Sequence, residues 1–261
     1  TPHYEALLRG ALKITGLTGL DLDNSIIVLG ANQADVILQK NFLKDLLRKV
    51  SPTSHGVIYS HPLGIYYCDE LDEFGHPKRG NSALNEKLIC INVGYFRTDY
   101  ALIDEGRLVQ SKSGSTVGLS QPILAALDLI SEDRDNIFDV GKNIRISPFQ
   151  LMEAIDKDSK IIIIKYFGHT FNVTHYVEQA VSHWYAAVFD ALEASFSTHI
   201  TTTNKIVVAG GGAPFLHTLL VNMWPNVKLL DDSVFSSSDG FSRIGMMLMT
   251  DPDYTNRSEK K

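Results

Sequence analysis

Cysteine is scarce in this sequence: Cys68 and Cys90 are the only two in 261 residues. Each sits in an apolar, strand-like stretch and neither has a metal-type spacing, so a disulfide-stapled module and a thiolate metal site are excluded. Both read as reduced core thiols. Long apolar runs are missing too. A stretch such as Ile161 to Ile164 falls far short of the roughly eighteen residues that a membrane helix needs. Positive charge is not in excess: 24 lysines and arginines face 30 aspartates and glutamates, a formal charge of −6. Nothing global therefore draws the chain to nucleic acid or to an anionic membrane. Glycine (19) and proline (9) stay near background, which excludes collagen-like and low-complexity chains. There is no HExxH or His/Cys ligand cluster, His169 and His175 being isolated on either side of Phe-Asn-Val-Thr, and no GxSxG around Ser113, Ser115 or Ser120. No signal peptide precedes Thr1, so a cytoplasmic protein is expected. Thr1 in place of methionine reads as a sign that the first encoded residues are missing.

What is present is a globular composition, 44% apolar and 21% charged, in a chain worth about 1.7 domains at roughly 150 residues each. One large α/β unit, or two lobes sharing a cleft, is expected. Tyr4, Leu7, Leu8, Ala11, Leu12 and Ile14 recur at helical spacing and Gly16 ends the pattern. Asp21 to Asn24 lead into a buried strand, Ser25 to Gly30, and Ala34 to Val50 form a helix with a basic end. Gly56 to Ser60 read as a strand that His61-Pro62-Leu63-Gly64 breaks before a helix over Ile65 to Leu71. Asp72 to Asn85, with Gly75, Pro77 and Gly80, form a hinge or surface loop.

Beyond this loop an antiparallel meander is expected: Lys87 to Val93, Thr98 to Ile103, a turn at Asp104-Glu105-Gly106-Arg107, and Leu108 to Ser113. Helices follow at Gln121 to Ile130 and Pro148 to Ile155, a strand pair or edge at Ser159 to Phe167, and the longest helix at Val177 to Ser197. Its stripe of Val177, Val181, Trp184, Val188 and Leu192 reads as core, and Lys112, Lys142 and Arg145 as a solvated face. Lys205 to Ala209 form a buried parallel-type strand, Pro214 to Met223 a helix, Asn226 to Leu230 a strand and Gly240 to Thr250 a last helix.

Two glycine loops carry the chemistry. In Asn92-Val93-Gly94-Tyr95-Phe96-Arg97-Thr98-Asp99 a strand ends in a polar residue and glycine and turns into a second strand. That turn exposes backbone N–H groups and hydroxyls at a tip that can hold phosphate or serve as an ordinary hairpin. In Val208-Ala209-Gly210-Gly211-Gly212-Ala213-Pro214, three glycines between a buried strand and a helix let backbone approach a ligand and aim the helix N-terminus at it. The loop lacks the Lys-Ser/Thr of a P-loop and is not GxGxxG.

In order and spacing these loops resemble the second lobe of the actin, chaperone and sugar-kinase ATPase superfamily, and within it the bacterial plasmid-segregation proteins of ParM/StbA type. Tyr59 to Tyr67, Ser113 to Gly118 and Asp239 to Gly245 extend the resemblance over nearly the whole chain. It implies an α/β, actin-like (ribonuclease H-like) fold of two lobes with mixed five-stranded sheets flanked by helices. Residues 1–86 would form a remnant of lobe one, to which the helix over 240–252 returns, and residues 87–239 would form lobe two. The resemblance makes Asn92, Gly94, Tyr95, Arg97 and Thr98 the second phosphate loop, and Gly210, Gly211, Gly212 and Ala213 the adenosine loop. His61 takes the place of the catalytic residue that orients water, and as a neutral imidazole it can accept a proton.

Asn92 stands where the family has a carboxylate that holds the water shell of Mg²⁺, through which it would act, and an amide lacks that charge. Tyr95 and Arg97 replace small residues, and Arg97 either pairs with a phosphate or crowds the loop. No hairpin with the first phosphate loop precedes the opening helix. The chain is then either a fragment of something roughly 60 to 90 residues longer on the family's pattern or a reduced form. The implied function is a nucleotide-dependent filament former, an ATPase with ATP or GTP and Mg²⁺ as ligands, that positions or partitions DNA cargo through an adaptor without touching DNA or membrane itself. Alternatives are a small-molecule kinase, with Asp99 or Asp104 as its carboxylate, and a degenerate, non-hydrolysing nucleotide-binding scaffold.

Overall fold

A computed structural model describes residues 2–16, 25–80, 86–133, 146–155, 161–166 and 168–250. Asp21 to Asn24, Asn81 to Asn85, Lys142, Arg145, Ser159, Lys160, Phe167 and residues 251–252 of the returning helix lie outside the described residues. In chain order the elements are α1 (Pro2–Ile14), β1 (Ile26–Ala31), α2 (Gln33–Leu38), α3 (Lys40–Val50), β2 (His55–Ser60), α4 (His61–Glu70), β3 (Leu88–Val93), β4 (Arg97–Asp104) and β5 (Arg107–Val117). They continue with α5 (Ser120–Glu132), α6 (Pro148–Ala154), β6 (Ile163–Tyr166), β7 (His169–Asn172), α7 (Thr174–Phe196), β8 (Lys205–Ala209), α8 (Ala213–Leu220), β9 (Val227–Leu229) and α9 (Ser236–Thr250).

The centre is a mixed five-stranded sheet of order β5-β4-β3-β8-β9. β3 runs antiparallel to β4 and parallel to β8. Because β3 is covered on both faces it reads as an unbroken apolar run, as buried parallel strands do. Ile89, Ile91 and Val93 face the long helix α7 through Trp184, Val188, Leu192 and Phe196, with Leu216 and Leu220 of α8 alongside. Leu88 and Cys90 face the other way, with Ile103, Val207 and Ala209, onto Ile65 and Tyr66 of α4. Trp184 is fully buried and its indole N–H donates to the Val117 carbonyl at 3.3 Å. A satellite cluster joins Ile123, Ala126 and Ile130 of α5 to Leu151 of α6, to the β6–β7 hairpin and to the first turns of α7. No described helix is long and apolar enough to cross a membrane.

Several boundaries differ from the sequence expectation. Ala34 to Val50 is two helices, not one: Gln39 (φ −121°, ψ 15°) interrupts it, and the Asn32 side chain caps the first piece through the Asp35 N–H. α4 starts at His61 instead of Ile65, because Pro62 occupies the first turn, where its fixed φ and missing N–H are no handicap. β5 continues past Ser113 to Val117 through a register shift at Ala101/Leu102 of β4, and α9 starts at Ser236, not Gly240. Beside the central sheet, the described residues show the parallel pair β1–β2 and the β6–β7 hairpin, not a second five-stranded sheet. The loop after α4 is tied down: the Asp72 carboxylate accepts the Phe74 and His76 N–H groups at 3.0 and 2.8 Å.

Candidate functional site

Ligands of open α/β sheets gather at the carboxyl ends of the parallel strands, and here four such ends converge. β1 ends at Asn32 and Gln33, and the Gln33 amide donates to the Ser113 hydroxyl of β5 at 3.2 Å. β2 ends at Ser60 and His61, and His61 Nδ1 lies 3.4 Å from Asp99 of β4. β3 ends at Gly94. β8 ends at Gly210, and the Gly212 N–H donates to the Val93 carbonyl at 3.0 Å, so the two glycine loops touch.

The three glycines have different tasks. Gly210 has φ +97°, and a Cβ there would meet the Val93 carbonyl oxygen at 2.5 Å. A Cβ on Gly212 would strike Val93 and Leu119 side chains at 2.6 Å. Packing alone demands glycine at both positions. A Cβ on Gly211 would have nothing within 4 Å of it, so this backbone is free to meet a ligand. It borders an apolar cavity of about 160 Å³ formed by Leu119, Ile123 of α5, Met152 of α6, Val177 and Val181 of α7, and Phe215 of α8. Ala213 is buried at the first turn of α8, behind the glycines.

The hairpin tip is closed by its own backbone. The Gly94 N–H donates to the Arg97 carbonyl at 2.9 Å, while the Leu119 and Ser120 N–H groups reach the Gly94 and Tyr95 carbonyls at 3.1 and 2.6 Å. A Cβ on Gly118 would stand 2.4 Å from the Arg97 nitrogen, which explains a glycine where β5 turns into α5. Tyr95 packs partly buried against the core, Phe96 is 77% exposed and Arg97 is exposed. Thr98 is fully buried and its hydroxyl donates to the Val117 carbonyl at 2.9 Å, so the hydroxyl serves the sheet. Asn92 pairs in register with Asp99 on one side and Ala209 on the other. Cross-strand partners share a face, which places Asn92 beside Asp99 on the face that α4 covers.

Sequence reasoning missed three polar groups. Ser115, also in register with Asp99, donates its hydroxyl to that carboxylate. The buried Gln33 Oε1 and Ser60 Oγ have no hydrogen-bond partner among the described residues. Their only sequence signal was a polar residue directly after an apolar strand. Orphaned buried acceptors and hydroxyls of this kind await water or a ligand.

At its other end α4 is anchored by charge. Asp69 and Glu70 are buried, Lys205 bridges both, Lys228 reaches Asp69 at 2.7 Å, and Arg79 reaches Glu70 at 2.8 Å. Burial pushes the Asp69 carboxyl up, but Lys205 and Lys228 outweigh it and hold it below its ordinary range. Lys205 is held above its ordinary range by the two carboxylates, against its own burial. Lys78 and Arg243 donate to the last carbonyls of the helix, at Cys68, Asp69 and Leu71, as suits a helix C-terminus.

The chain superposes on a 15-stranded ParM filament from Clostridium botulinum with a TM-score of 0.69 at 19% identity, over 95% of this chain and 74% of that one. It superposes equally, at 0.69 and 12% identity, on the archaeal actin homologue Ta0583, over 93% and 76%. MreB5 of Spiroplasma citri bound to ADP gives 0.66 at 16% identity, over 95% and 77%. The fold is actin-like. No protein-family model matches the sequence and no curated protein matches it, so the likeness is one of architecture.

Within this actin-like fold the residues fit a nucleotide. Gly211 leaves open space beside its backbone, α8 presents its N-terminus, and the apolar cavity beside Gly211 is of a size for a flat base. They fit a protein-bound metal poorly. Among the described residues no three His, Cys, Asp or Glu side chains come together, Asn92 brings no charge, and Asp99 is occupied by Ser115 and His61.

Proposed function

We propose that this chain is a nucleotide-binding, filament-forming protein with actin-like lobes over 1–86 (plus 240–252) and 87–239, and that it hydrolyses ATP in the crevice between Gly94, Gly210–Gly212 and His61. The observation that carries this reading is the contact of the two glycine loops, Gly212 N–H to Val93 carbonyl. The contact sets the end of β3 beside the first turn of α8, and His61 meets the same hairpin at Asp99. Mg²⁺ would enter with the nucleotide as part of the substrate, held by phosphates and water, with Asn92 touching at most its water shell. Phosphoryl transfer here is then positioning more than covalent chemistry.

Nucleotide-dependent assembly follows if ATP and ADP favour different lobe arrangements, and the acidic chain would reach DNA cargo through an adaptor protein. The kinase alternative needs a carboxylate free to take an acceptor's proton. Asp99 is engaged on both oxygens, and Asp104 pairs with Lys87 at the far end of β4, which favours hydrolysis over transfer to a small molecule. Calorimetric titration with Mg-ATP, Mg-GTP and Mg-ADP tests the site, and pelleting with electron microscopy in ATP, in ADP and without nucleotide tests assembly. Binding with ATP-dependent polymer is the expected result. A folded chain that binds no nucleotide and forms no polymer under any of these conditions overturns the proposal.

A further inference from the structure

Asp99 is 2% exposed, and a carboxylate buried that deeply needs hydrogen-bond donors. Among the described residues no lysine or arginine nitrogen lies within 4 Å of it, and the basic group it meets is the His61 imidazole, Nδ1 to Oδ2 3.4 Å. Its other oxygen, Oδ1, accepts the Ser115 hydroxyl. The order is therefore hydroxyl, carboxylate, imidazole. Ser115 lies behind the carboxylate, away from the imidazole, and cannot be a nucleophile activated by this histidine. It fixes the carboxylate, and the carboxylate faces the ring.

We infer that Asp99 is a positioning residue that holds the neutral state of His61 in the Nδ1–H tautomer, leaving the Nε2 lone pair as acceptor for the attacking water. An ionised carboxylate only accepts hydrogen bonds, and a neutral imidazole has one N–H, so the nitrogen facing Asp99 must carry it. His61 is the first residue of α4, and its ring is flanked by Phe241 at 6.4 Å between centroids. With 34% of its side chain exposed, the ring also keeps an open side. The 3.4 Å separation is long for a hydrogen bond, as such contacts are before a substrate closes the site.

This inference rests on the nucleotide reading of the crevice and specifies its chemistry. Water oxygen bonds to the γ-phosphorus, the bond from that phosphorus to the β–γ bridging oxygen breaks with its electron pair on ADP, and the water proton passes to Nε2. The imidazolium so formed has its Nδ1–H against the Asp99 carboxylate and then releases the proton to solvent.

The test uses the full chain labelled with ¹⁵N-histidine, in which long-range proton–nitrogen correlation reads the tautomer and His61→Gln assigns the resonance. The expected result is Nδ1–H for His61 in the wild type, shifting toward Nε2–H in Asp99→Asn, whose amide can donate. In ATPase assays Asp99→Asn should lower kcat by roughly 10²-fold, the lower range for a positioned base, with KM little changed. An Nε2–H tautomer in the wild type, or an unchanged kcat in an Asp99→Asn variant that still binds ATP, overturns the inference. Should Asp99→Asn not fold, the wild-type tautomer decides alone. Absence of ATP binding with an Nδ1–H tautomer would refute the nucleotide reading while leaving the Asp99–His61 pairing in place.

Discussion

Lys205→Met removes the cation that ties the end of α4 to β8, and the structure sets the size of the effect. The ammonium pairs with Asp69 and with Glu70 at 3.0 Å, and both carboxylates are buried. Leaving a buried carboxylate with no partner costs about 3–5 kcal/mol. Neither is left bare here, since Asp69 keeps Lys228 and Glu70 keeps Arg79. The loss is better taken as two charge-assisted hydrogen bonds at about 1.5–3 kcal/mol each, less the relief of no longer desolvating a lysine that is only 20% exposed. About 2–4 kcal/mol remains. For a chain of this length that corresponds to a fall in Tm of roughly 4–8 °C.

The pH dependence of the same variant carries a sign. Asp69 is depressed in the folded state, first against burial and then through Lys205 and Lys228, so its contribution is present above its unfolded pKa and is lost as pH falls through the folded one. The gap between wild type and Lys205→Met should therefore narrow below about pH 4, the ordinary aspartate range. Urea denaturation at pH 7 and pH 3.5 measures both quantities. Lys228→Met, whose lysine is 52% exposed, should cost at most about 1 kcal/mol. A Lys205→Met effect below about 0.5 kcal/mol, or one that is the same at both pH values, would refute the electrostatic account.

Other substitutions probe the crevice and its frame. Gly210→Ala, at φ +97° and facing the Val93 carbonyl, should cost at least about 2 kcal/mol in denaturant unfolding. Gly211→Ala, with open space around it, should change stability by less than about 0.5 kcal/mol yet weaken Mg-ATP binding in calorimetry; the reverse order would mean that the free glycine does not face the ligand. Gly240→Ala would place a methyl 1.7 Å from the Gly64 carbonyl, forcing α4 and α9 apart, and should lower thermal stability by about 3 kcal/mol. Asn92→Asp sets a second carboxylate opposite Asp99. It should cost up to about 1 kcal/mol while raising ATP turnover, and absence of turnover in both wild type and variant would place the chain with non-hydrolysing scaffolds.

What was legible in the sequence follows from what each residue has to do. β3, β8 and α7 announce themselves because burial on two faces, or on one long stripe, leaves few chemical choices. Gly210 and Gly212 announce the loop because no side chain fits against Val93. Pro62 misled for a local reason: a proline that interrupts a helix and one that opens it look alike until the preceding residue's conformation is known, and Ser60 is extended (φ −78°, ψ 152°). The second half of β5 was lost because Ser113-Gly-Ser-Thr lacks apolar alternation; its register is set by pairing with β4 after a bulge.

The Asp99–His61 contact had no local signature at all. It joins residues 38 positions apart on elements that meet only because α4 lies across β3 and β8. That placement is controlled by residues with no chemistry of their own. The Gly64–Gly240 crossing sets how closely α9 presses on the first turns of α4, and Lys205 fixes the helix at the other end, on the strand that leads five residues later into Gly210. A helix held at both ends can keep an imidazole within reach of a carboxylate; a helix released at either end would let the ring swing by more than the few tenths of an ångström that a hydrogen bond tolerates. Lys205→Met and Gly240→Ala, both distant from the phosphate loop, should accordingly weaken the His61 tautomer preference before they abolish folding, whereas Gly211→Ala should leave it intact.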